Sequence, residues 1–551
     1  MKLKCTAFNN HFAAAGHLFD NLHNSNAANN NNLHNLHNTT ATNNLHIENA
    51  ATEELSSRAL ETPFSFKPFN NNEVFHALST IDPKKSVGED NLDPFFLKVS
   101  TPLITEFICY IFNQSILTGI IPQPWKTAHV VPLHKGHDKK DSNNYRPISK
   151  LSCLAKILET LVNNQLKVFL NSFPILSPHQ SGFRAKHSTV SATSLVLNDI
   201  VSALDKKLFC AALFIDLSKA FDTVDHILLL QRLSYIGFNS DACRWFENYL
   251  SDRQQCVKVG PIKSDFLHVS KGVPQGSILG PILFILYINN IVNTLKNCNI
   301  HLYADDTILY CFSDSVENSV HMLQLAFDIL QKSLLDLKLV LNDEKTKFML
   351  FTKRRILNDN FHLYTTSGTS IERVPNYKYL GIWLDEKLTF DTHVECLVKG
   401  LRMKLGFFYR NRSCFPWPTR KRLIEALFLS ALDYGDIIYR NASATTLKTL
   451  DSVYHPALRF ITGDIYNTHH CILYNKVGWP SLAIRRDQHW FLFVYKAIIG
   501  RSAPYLKSLL QWRTSSYQTR SQDCLMLETP FASFEFGKSA FKFCASDTWN
   551  T

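Results

Sequence analysis

The chain has 551 residues, with 58 Lys and Arg against 47 Asp and Glu, so its formal net charge is +11. This length leaves room for several subdomains with large cores, and the positive charge favours a polyanionic partner. The thirteen cysteines form no Cys-x-x-Cys pair, which argues against a disulfide framework and a structural zinc module. No apolar stretch reaches ~18 residues and no signal-peptide core is present, so we expect an intracellular protein of the nucleus or cytoplasm, not a secreted or membrane protein.

The first 60 residues have a biased composition. Residues 21–50 contain twelve asparagines and four copies of Asn-Leu-His, with no charged side chain before Glu48. Such a tract buries too little apolar surface to offset the entropy lost on ordering. We therefore expect residues 1–60 to be an Asn-rich disordered tail.

From about Glu61 the composition becomes that of a folded, globular protein. Helical patterns lie around 74–81 and over 104–119. We expect residues 61–125 to form an N-terminal extension to the domain that begins at 126. The strand-like run 128–135 follows. It ends at Lys135, eleven residues before Arg146, with a turn expected over 136–144 between them.

The helical pattern over 193–204 places its apolar residues on one face and leads into the apolar run 208–215. That run ends at Asp216. A second pair of apolar runs, 300–302 and 308–312, flanks Tyr303-Ala304-Asp305-Asp306. Two strands that each deliver carboxylates to one place predict a paired Mg²⁺ site for phosphoryl transfer.

Between the two acidic strands lies a glycine-punctuated loop, 272–281, which enters an apolar stretch over 282–288. After them, leucines and Phe327 repeat at intervals of three or four over 323–337, which predicts a packed helix. From about His393 the pattern is mostly helical. Strands that carry the acids, with helices packed behind them, predict an α+β fold.

Seven motifs in collinear order resemble those of the reverse transcriptases of non-LTR (LINE-type) retrotransposons. In this sequence they lie at 144–149, 180–184, 216–222, 272–281, 303–306, 341–346 and 379–385. The resemblance implies a right-hand polymerase, with fingers and palm over 126–390 and a mostly helical thumb over 391–480. Residues 481–551 look like a truncated C-terminal region, and the endonuclease that usually accompanies this polymerase is not expected in the chain.

The resemblance also implies roles for individual residues. Asp216, Asp305 and Asp306 would hold two Mg²⁺ ions, for which Mn²⁺ can substitute. Contacts to the nucleotide would come from Lys135, Arg146, Phe221, Gln275 and Gly276. Contacts to template or primer would come from Arg184, Tyr303, Leu380 and Gly381. Lys345 is either the general acid that protonates pyrophosphate or an ordinary surface lysine.

The function that the resemblance implies is RNA-directed DNA polymerisation, with an RNA template, a DNA primer and dNTPs as substrates. A domesticated or decayed copy that binds nucleic acid without catalysis is the alternative, and the three intact aspartates argue against it. An RNA-dependent RNA polymerase shares the acidic palm. Phe221 argues against that activity, because a bulky apolar ring beneath the nucleotide leaves no room for a 2′-hydroxyl.

Overall fold

The computed structural model of the protein describes residues 1–22, 62–136, 138–295, 297–354, 360–513 and 525–551. Within them the helices are Lys2–Ala14, Asn71–Ser79, Pro94–Val99, Thr101–Thr118, Gln123–Lys126, Cys153–Ser172, Thr189–Asp205, His226–Tyr235, Ser240–Leu250, Gly280–Ile288, Val316–Asp336, Asp391–Arg410, Trp417–Leu423, Ala444–Lys448, Asp451–Thr462, His470–Val477, Leu482–Ile498, Pro504–Ser508 and Phe541–Asn550. A π-helical segment, Ile424–Leu429, runs into the single turn Ser430–Leu432.

The strands are β1 (Thr127–His134), β2 (Tyr145–Lys150), β3 (Phe209–Ile215), β4 (Arg253–Val259), β5 (Ile262–Lys263), β6 (Leu267–Val269), β7 (Asn299–Tyr303), β8 (Asp306–Ser313), β9 (Lys347–Phe351), β10 (Leu363–Tyr364), β11 (Ser370–Ile371), β12 (Asn376–Tyr379) and β13 (Ile382–Asp385). The chain is thus a mixture of helices and mostly antiparallel sheets, which agrees with the predicted α+β class. None of the helices among the described residues has the length and apolar character that crossing a bilayer requires.

Two compact units make up the chain. The first unit consists of Met1–Phe183, Leu217–Thr294 and Ile329–Asn342, and the second of Arg184–Asp216, Leu295–Asp328 and Asp343–Thr551.

The first unit contains a sheet in which β1 lies between β2 and β4. β1 pairs with β2 antiparallel and with β4 parallel, while β5 and β6 both pair with β4. The helix Gly280–Ile288 is buried over almost its whole length, as its run of large apolar side chains requires. It follows the glycine-punctuated loop, so the apolar stretch predicted after that loop is a core helix.

The expectation of a disordered tail is wrong for its first residues. Lys2–Ala14 form a helix of the first unit, in which Cys5 and Phe12 pack with Val130 and Val257. The Asn9 amide donates to the carbonyl oxygen of Asp265 at 2.9 Å. Composition misled here because the apolar partners of this helix come from strands more than a hundred residues away. The Asn-rich tract over 23–61 lies outside the described residues.

The second unit contains a four-stranded antiparallel sheet in the order β7-β8-β3-β9. β3 lies between two neighbours and is almost wholly buried, which explains its uninterrupted apolar sequence. The helix Thr189–Asp205 packs against this sheet through Val196, Ile200 and other apolar residues. A Ser188–Ser191 capping box starts that helix, and the same core continues into the helices after residue 391.

Candidate active site

The carboxylates predicted to bind metal lie at adjacent strand ends of the second unit. Asp216 directly follows β3, and Asp306 is the first residue of β8. These strands are antiparallel neighbours, with Ile215 opposite Thr307 at the last pair of the ladder. The next residue on each strand is therefore a carboxylate, Asp216 on one and Asp306 on the other. Asp305 occupies the turn that precedes β8.

The electrostatics of Asp306 show that the three carboxylates influence one another. Part of its side chain reaches solvent, but desolvation by the surrounding protein, together with the negative charges of Asp305 and Asp216, raises its pKa to about 6. Like charges that act on one another disfavour ionisation of all members at once unless a cation joins them. The donor set consists of oxygen atoms alone, which suits Mg²⁺ or Mn²⁺.

A tight turn presents Asp305. Tyr303 pairs with Asp306, so Ala304 and Asp305 form a two-residue loop. Ala304 is buried with φ at +60°, a left-handed conformation that only glycine adopts without strain. A larger side chain at position 304 would have the same backbone strain and would also have to fit into the buried core. The turn predicted between the two apolar runs is confirmed, whereas the strained conformation of Ala304 could be seen only in the structure.

A cation and a hydroxyl lie beside Asp216. The Lys345 ammonium is 3.8 Å from a carboxylate oxygen of Asp216, and both side chains are partly open to solvent. The Asp216 backbone N–H donates to the Thr346 hydroxyl at 3.3 Å. Lys345 thus lies at the carboxylate cluster, which is where a general acid for pyrophosphate would be useful. Thr346 was not predicted to be a site residue, although it lies within one of the seven motifs.

The hairpin of β12 and β13 lies against the same sheet. Its turn consists of Leu380 and Gly381, whose φ values are +44° and +89°. The ring of Tyr377 stacks on Phe214 of β3, with centroids 4.1 Å apart. Residues of β12, of the turn and of β3 line a cleft that also contains Asp306 and Thr307. Leu380 and Gly381 therefore lie at the carboxylate end of the sheet.

Tyr434 fixes the turn of this hairpin. Its hydroxyl donates to the carbonyl oxygen of Leu380 at 2.8 Å and lies 3.0 Å from the hydroxyl oxygen of Thr189. A Cβ atom on Gly381 would lie 2.7 Å from the Tyr434 ring, so only glycine fits. Nothing in the sequence around Tyr434 indicated this role, because the contact spans 54 residues.

The remaining two template or primer candidates also lie in the second unit. Tyr303 is half-buried, and burial raises the pKa of its hydroxyl, with smaller contributions from Tyr434 and Asp306. Arg184 is half-buried near Tyr505, and burial lowers the pKa of its guanidinium. Neither contact by itself identifies a bound strand.

In the first unit, the glycine-punctuated loop is tied to the segment that follows Asp216. The Gln275 side-chain amide donates to a carboxylate oxygen of Asp222 at 2.8 Å. The Asp222 pKa is raised to about 6 by burial, while this hydrogen bond and the charges of Lys219 and Lys135 lower it. Asp222 was part of the matched motif but was not singled out as a site residue.

Two glycines of the loop allow its close approach to other backbone. A Cβ on Gly272, whose φ is +81°, would lie 2.5 Å from the Asp222 carbonyl oxygen. A Cβ on Gly276, whose φ is +123°, would lie 2.5 Å from the Ser149 carbonyl oxygen. The Ser149 N–H in turn donates to the carbonyl oxygen of Gln275 at 2.7 Å. The loop thus rests on β2 and on the segment of Asp222.

A buried glutamate supports the far end of the loop. Glu159 accepts hydrogen bonds from the backbone N–H groups of Ile278 at 2.5 Å and Leu279 at 3.4 Å, and from the Tyr249 hydroxyl at 3.0 Å. Burial raises the pKa of Glu159, and these donors partly offset that rise. Glu159 is a charged residue in the middle of an apolar helical pattern. That departure from the pattern was the only sign in the sequence that the residue has a special role.

Phe221 lies in the same part of the first unit. It stacks on Phe284, with ring centroids 4.3 Å apart and planes at 24°, and Phe183 meets it edge-on. Its side chain is half-buried. The two aromatic neighbours hold the ring in place, which a steric gate requires.

The predicted turn between Lys135 and Arg146 is confirmed as the connection of an antiparallel hairpin, β1 to β2. The Lys135 N–H donates to the Asn144 carbonyl oxygen at 2.8 Å, which closes the hairpin end. Arg146 is exposed on β2 opposite Leu133. Lys135 is near enough to Asp222 for its positive charge to lower the pKa of that carboxyl.

Two other groups of potential metal ligands occur among the described residues, and their local bonds explain both. Asp433, Asp436 and His489 converge, but Arg485 pairs with Asp433 through two nitrogen atoms and His489 contacts Asp436 at 2.5 Å. These charges already compensate one another. His469, His470 and Cys471 are consecutive, exposed residues at a helix start, without a second ligand pair at zinc-finger spacing.

Comparison with known proteins agrees with the geometry. Residues 137–384 match the family model described as reverse transcriptase (RNA-dependent DNA polymerase). The chain is 29% identical over 419 residues to the RNA-directed DNA polymerase from mobile element jockey of Drosophila melanogaster, which covers 73% of this chain and 45% of that protein. It is 28% identical over 457 residues to the probable RNA-directed DNA polymerase from transposon BS of the same organism, with 80% and 50% covered.

A third relative, the probable RNA-directed DNA polymerase from transposon X-element of Drosophila melanogaster, is 27% identical over 431 residues, which cover 75% of this chain and 46% of that protein. The chain therefore spans about half the length of the curated relatives it matches. The matched family region contains all three aspartates at the strand ends and the loop of Gln275. Residues 137–384 are therefore a reverse transcriptase domain, of the kind that the polymerases of non-LTR retrotransposons carry.

Proposed function

We propose that this chain is an RNA-directed DNA polymerase, which transfers a nucleotidyl group from a dNTP to the 3′-hydroxyl of a DNA primer on an RNA template. The observation that carries the proposal is the placement of Asp216 and Asp306 at paired strand ends, with Asp305 in the adjoining turn, inside a reverse transcriptase domain. A decayed copy would have no reason to retain three carboxylates that repel one another.

Asp216, Asp305 and Asp306 would hold two Mg²⁺ ions, because their hard oxygen donors and mutual repulsion suit a divalent cation. Bound metals of this kind activate the attacking oxygen and neutralise charge on the leaving group. Lys345, beside Asp216, is positioned to give a proton to the departing pyrophosphate. The ion pair with Asp216 holds the ammonium at the cluster before substrate arrives.

The first unit would receive the nucleotide. Gln275 and Gly276 present their loop, Phe221 would lie against the sugar, and Lys135 and Arg146 would supply positive charge for the triphosphate. In the second unit Leu380 and Gly381 would set the primer end, with Tyr303 and Arg184 as further contacts to primer or template. The fixed turn under Tyr434 supports the role of Leu380 and Gly381.

The proposed domain plan follows from these roles. The family match supports a polymerase palm, to which we assign the β7-β8-β3-β9 sheet, and we assign the β1–β2 hairpin to the fingers. The helices over 391–480 would form the thumb, whose basic residues contact phosphates of the duplex without reading sequence. The extension over 61–125 and the region over 481–551 complete the plan.

An intracellular location, in the nucleus or the cytoplasm, accompanies this proposal. The twelve cysteines that the structure describes are free thiols, and Cys396, Cys414 and Cys471 are exposed. Exposed free thiols persist in a reducing compartment.

The test is incorporation of dTTP on poly(rA) primed with oligo(dT), with Mg²⁺ or Mn²⁺. We expect incorporation by the native chain and none by Asp305→Asn. Duplex binding, measured by fluorescence anisotropy, should be retained by both, with log K falling linearly in log salt by about 0.7 to 0.9 per phosphate contacted. Binding without incorporation by the native chain would instead support the non-catalytic alternative.

A further inference from the structure

The helix Thr101–Thr118 is apolar around most of its circumference. Its 18 residues include a single charged side chain, Glu106. A helix with this composition is normally buried on all sides, because an amphipathic surface helix carries polar residues on its open face. Among the described residues of the first unit, however, neighbouring elements cover only one face.

The covered face is well defined. Ile108 and Phe112 are buried, and this face packs on the helices Asn71–Ser79 and Ser240–Leu250. The Trp245 indole N–H donates to the Ser115 hydroxyl at 3.2 Å, which fixes the rotation of the helix. The orientation of the opposite face is therefore determined by the core.

The opposite face, with the short helix Pro94–Val99 before it, exposes a continuous row of large apolar side chains. Leu103 is 79% exposed, Phe107 70% and Leu117 71%. We call this row the apolar stripe; its members are Phe96, Val99, Leu103, Phe107, Tyr110, Leu117 and Ile120. Within the helix Thr101–Thr118 the members recur every three or four residues, with only Gln114 interrupting, which is the repeat of a surface that packs on another helix. Phe96 and Val99 lie on the preceding helix, and Ile120 follows Gly119, whose φ of +75° ends the second one.

The exposed area of the stripe is large for a monomer. With ~200 Å² for a fully exposed side chain of this size, the measured exposures amount to on the order of 900 Å². An isolated patch on a monomer is usually about 300–600 Å², whereas each partner of a stable interface contributes about 800 Å². The stripe thus has the area that a stable dimer needs.

We propose that the apolar stripe is the interface of a homodimer, in which it packs against the stripe of a second copy about a two-fold axis. A self-complementary surface must not repel itself, and none of the seven members of the stripe is charged. Two apolar helices with the same three-and-four repeat can interdigitate their side chains across such an axis. This inference is independent of the proposed polymerase activity.

Sedimentation velocity of the full chain, without nucleic acid, tests the proposal. From about 0.1 to about 50 μM protein, a range that includes the affinities of ordinary dimers, we expect a shift from monomer to dimer. Leu103→Glu and Phe107→Glu should each raise the dimer dissociation constant at least tenfold. The matched control is Ile465→Glu, since Ile465 is similarly exposed, at 75%, but lies elsewhere in the chain.

Three outcomes would overturn the proposal: a native chain that stays monomeric over the whole range, a dimer that survives both stripe substitutions, or one that the control disrupts equally. Thermal unfolding of dilute monomer separates loss of association from loss of folding. Because Leu103 is mostly exposed, Leu103→Glu should leave that unfolding temperature unchanged. A clear decrease would mean that Leu103 packs against its own chain, which also rules out the stripe, and Leu117→Lys repeats the test with the opposite charge.

Discussion

The side-chain amide of Gln275 donates a hydrogen bond to the carboxylate of Asp222 across 53 residues of sequence. This bond joins two of the seven motifs, the one that begins at Asp216 and the glycine-punctuated loop. Part of the donor capacity of Gln275 is therefore already committed within the first unit. The bond fixes the orientation of the amide, which would lower the entropy that the proposed nucleotide contact must offset.

Asp222 gives a prediction about stability and pH. Burial raises its pKa from 3.8 to about 6, so the folded state disfavours the ionised form. This destabilisation is complete above pH 6 and disappears as the pH falls through 6 towards 4. Asp222→Asn, whose amide oxygen can still accept from Gln275, should therefore raise the unfolding free energy by on the order of 1 to 2 kcal/mol at pH 8 and by almost nothing at pH 4.

Thermal unfolding at the two pH values measures this difference. Asp241→Asn is the control, because Asp241 is exposed on a helix and contacts only Arg244 among the described residues. An equal gain from Asp222→Asn at both pH values would mean that its carboxyl does not titrate in this range.

Asp305→Asn tests the metal assignment. Loss of one carboxylate from the cluster should abolish incorporation, at a cost of several kcal/mol in transition-state stabilisation. Duplex affinity should change less than twofold, since it depends on many phosphate contacts. Robust synthesis by this variant at saturating Mg²⁺ would remove Asp305 from the metal site. Asp314→Asn, at an exposed loop position, controls for the loss of one negative charge.

Phe221 gives a prediction about the sugar. Its ring is held by Phe284 and Phe183, so it cannot easily move aside for a 2′-hydroxyl. We expect the native chain to prefer dTTP over UTP by at least a hundredfold in kcat/KM, and Phe221→Val or Phe221→Ala to reduce that preference at least tenfold. Both ratios are measured on one primed RNA template. Equal use of the two nucleotides by the native chain would contradict the gate and reopen the RNA polymerase alternative.

Tyr434 is predicted to position the primer through the turn at Leu380 and Gly381. Tyr434→Phe removes the hydroxyl that bonds Leu380 but keeps the ring against Gly381. We expect KM for the primed template to rise several-fold, with a smaller change in kcat, because the turn loosens without loss of catalytic groups. Gly381→Ala should have a larger effect, since the added Cβ collides with the Tyr434 ring.

Tyr364→Phe, at a tyrosine of similar exposure, is the matched control for Tyr434→Phe. If the two variants have the same kinetics, the hydroxyl of Tyr434 does not set the primer position.

The N-terminal helix gives a prediction about folding. Phe12 is buried against the sheet of the first unit, so Phe12→Ala should lower the unfolding free energy by about 3 kcal/mol. Leu3→Ala, on the same helix but 87% exposed, should change it by less than about 0.5 kcal/mol. Chemical unfolding of both variants makes the comparison. Equal and small effects would restore the expectation that these residues belong to a disordered tail.

The sequence by itself determined the elements whose signal is local. Apolar runs that end in aspartate marked β3 and the hairpin of β7 and β8, and three-and-four repeats marked four of the helices. Their predicted ends lie within about four residues of the observed ones, except that the helix Val316–Asp336 begins seven residues before the predicted start at 323. The order of the motifs was sufficient for the family. These features follow from neighbouring residues along the chain, so their physical cause is contained in short windows of sequence.

Tertiary structure alone decided which distant groups meet. Only the strand order places β3 beside β8, so that Asp216 and Asp306 become neighbours. The bond between Gln275 and Asp222, and the support of the primer turn by Tyr434, also join residues far apart in sequence. The helix Lys2–Ala14 forms against expectation because a distant sheet supplies its apolar partners. Burial, pairing and pKa depend on what surrounds a residue in space, and a pattern along the chain does not contain that information.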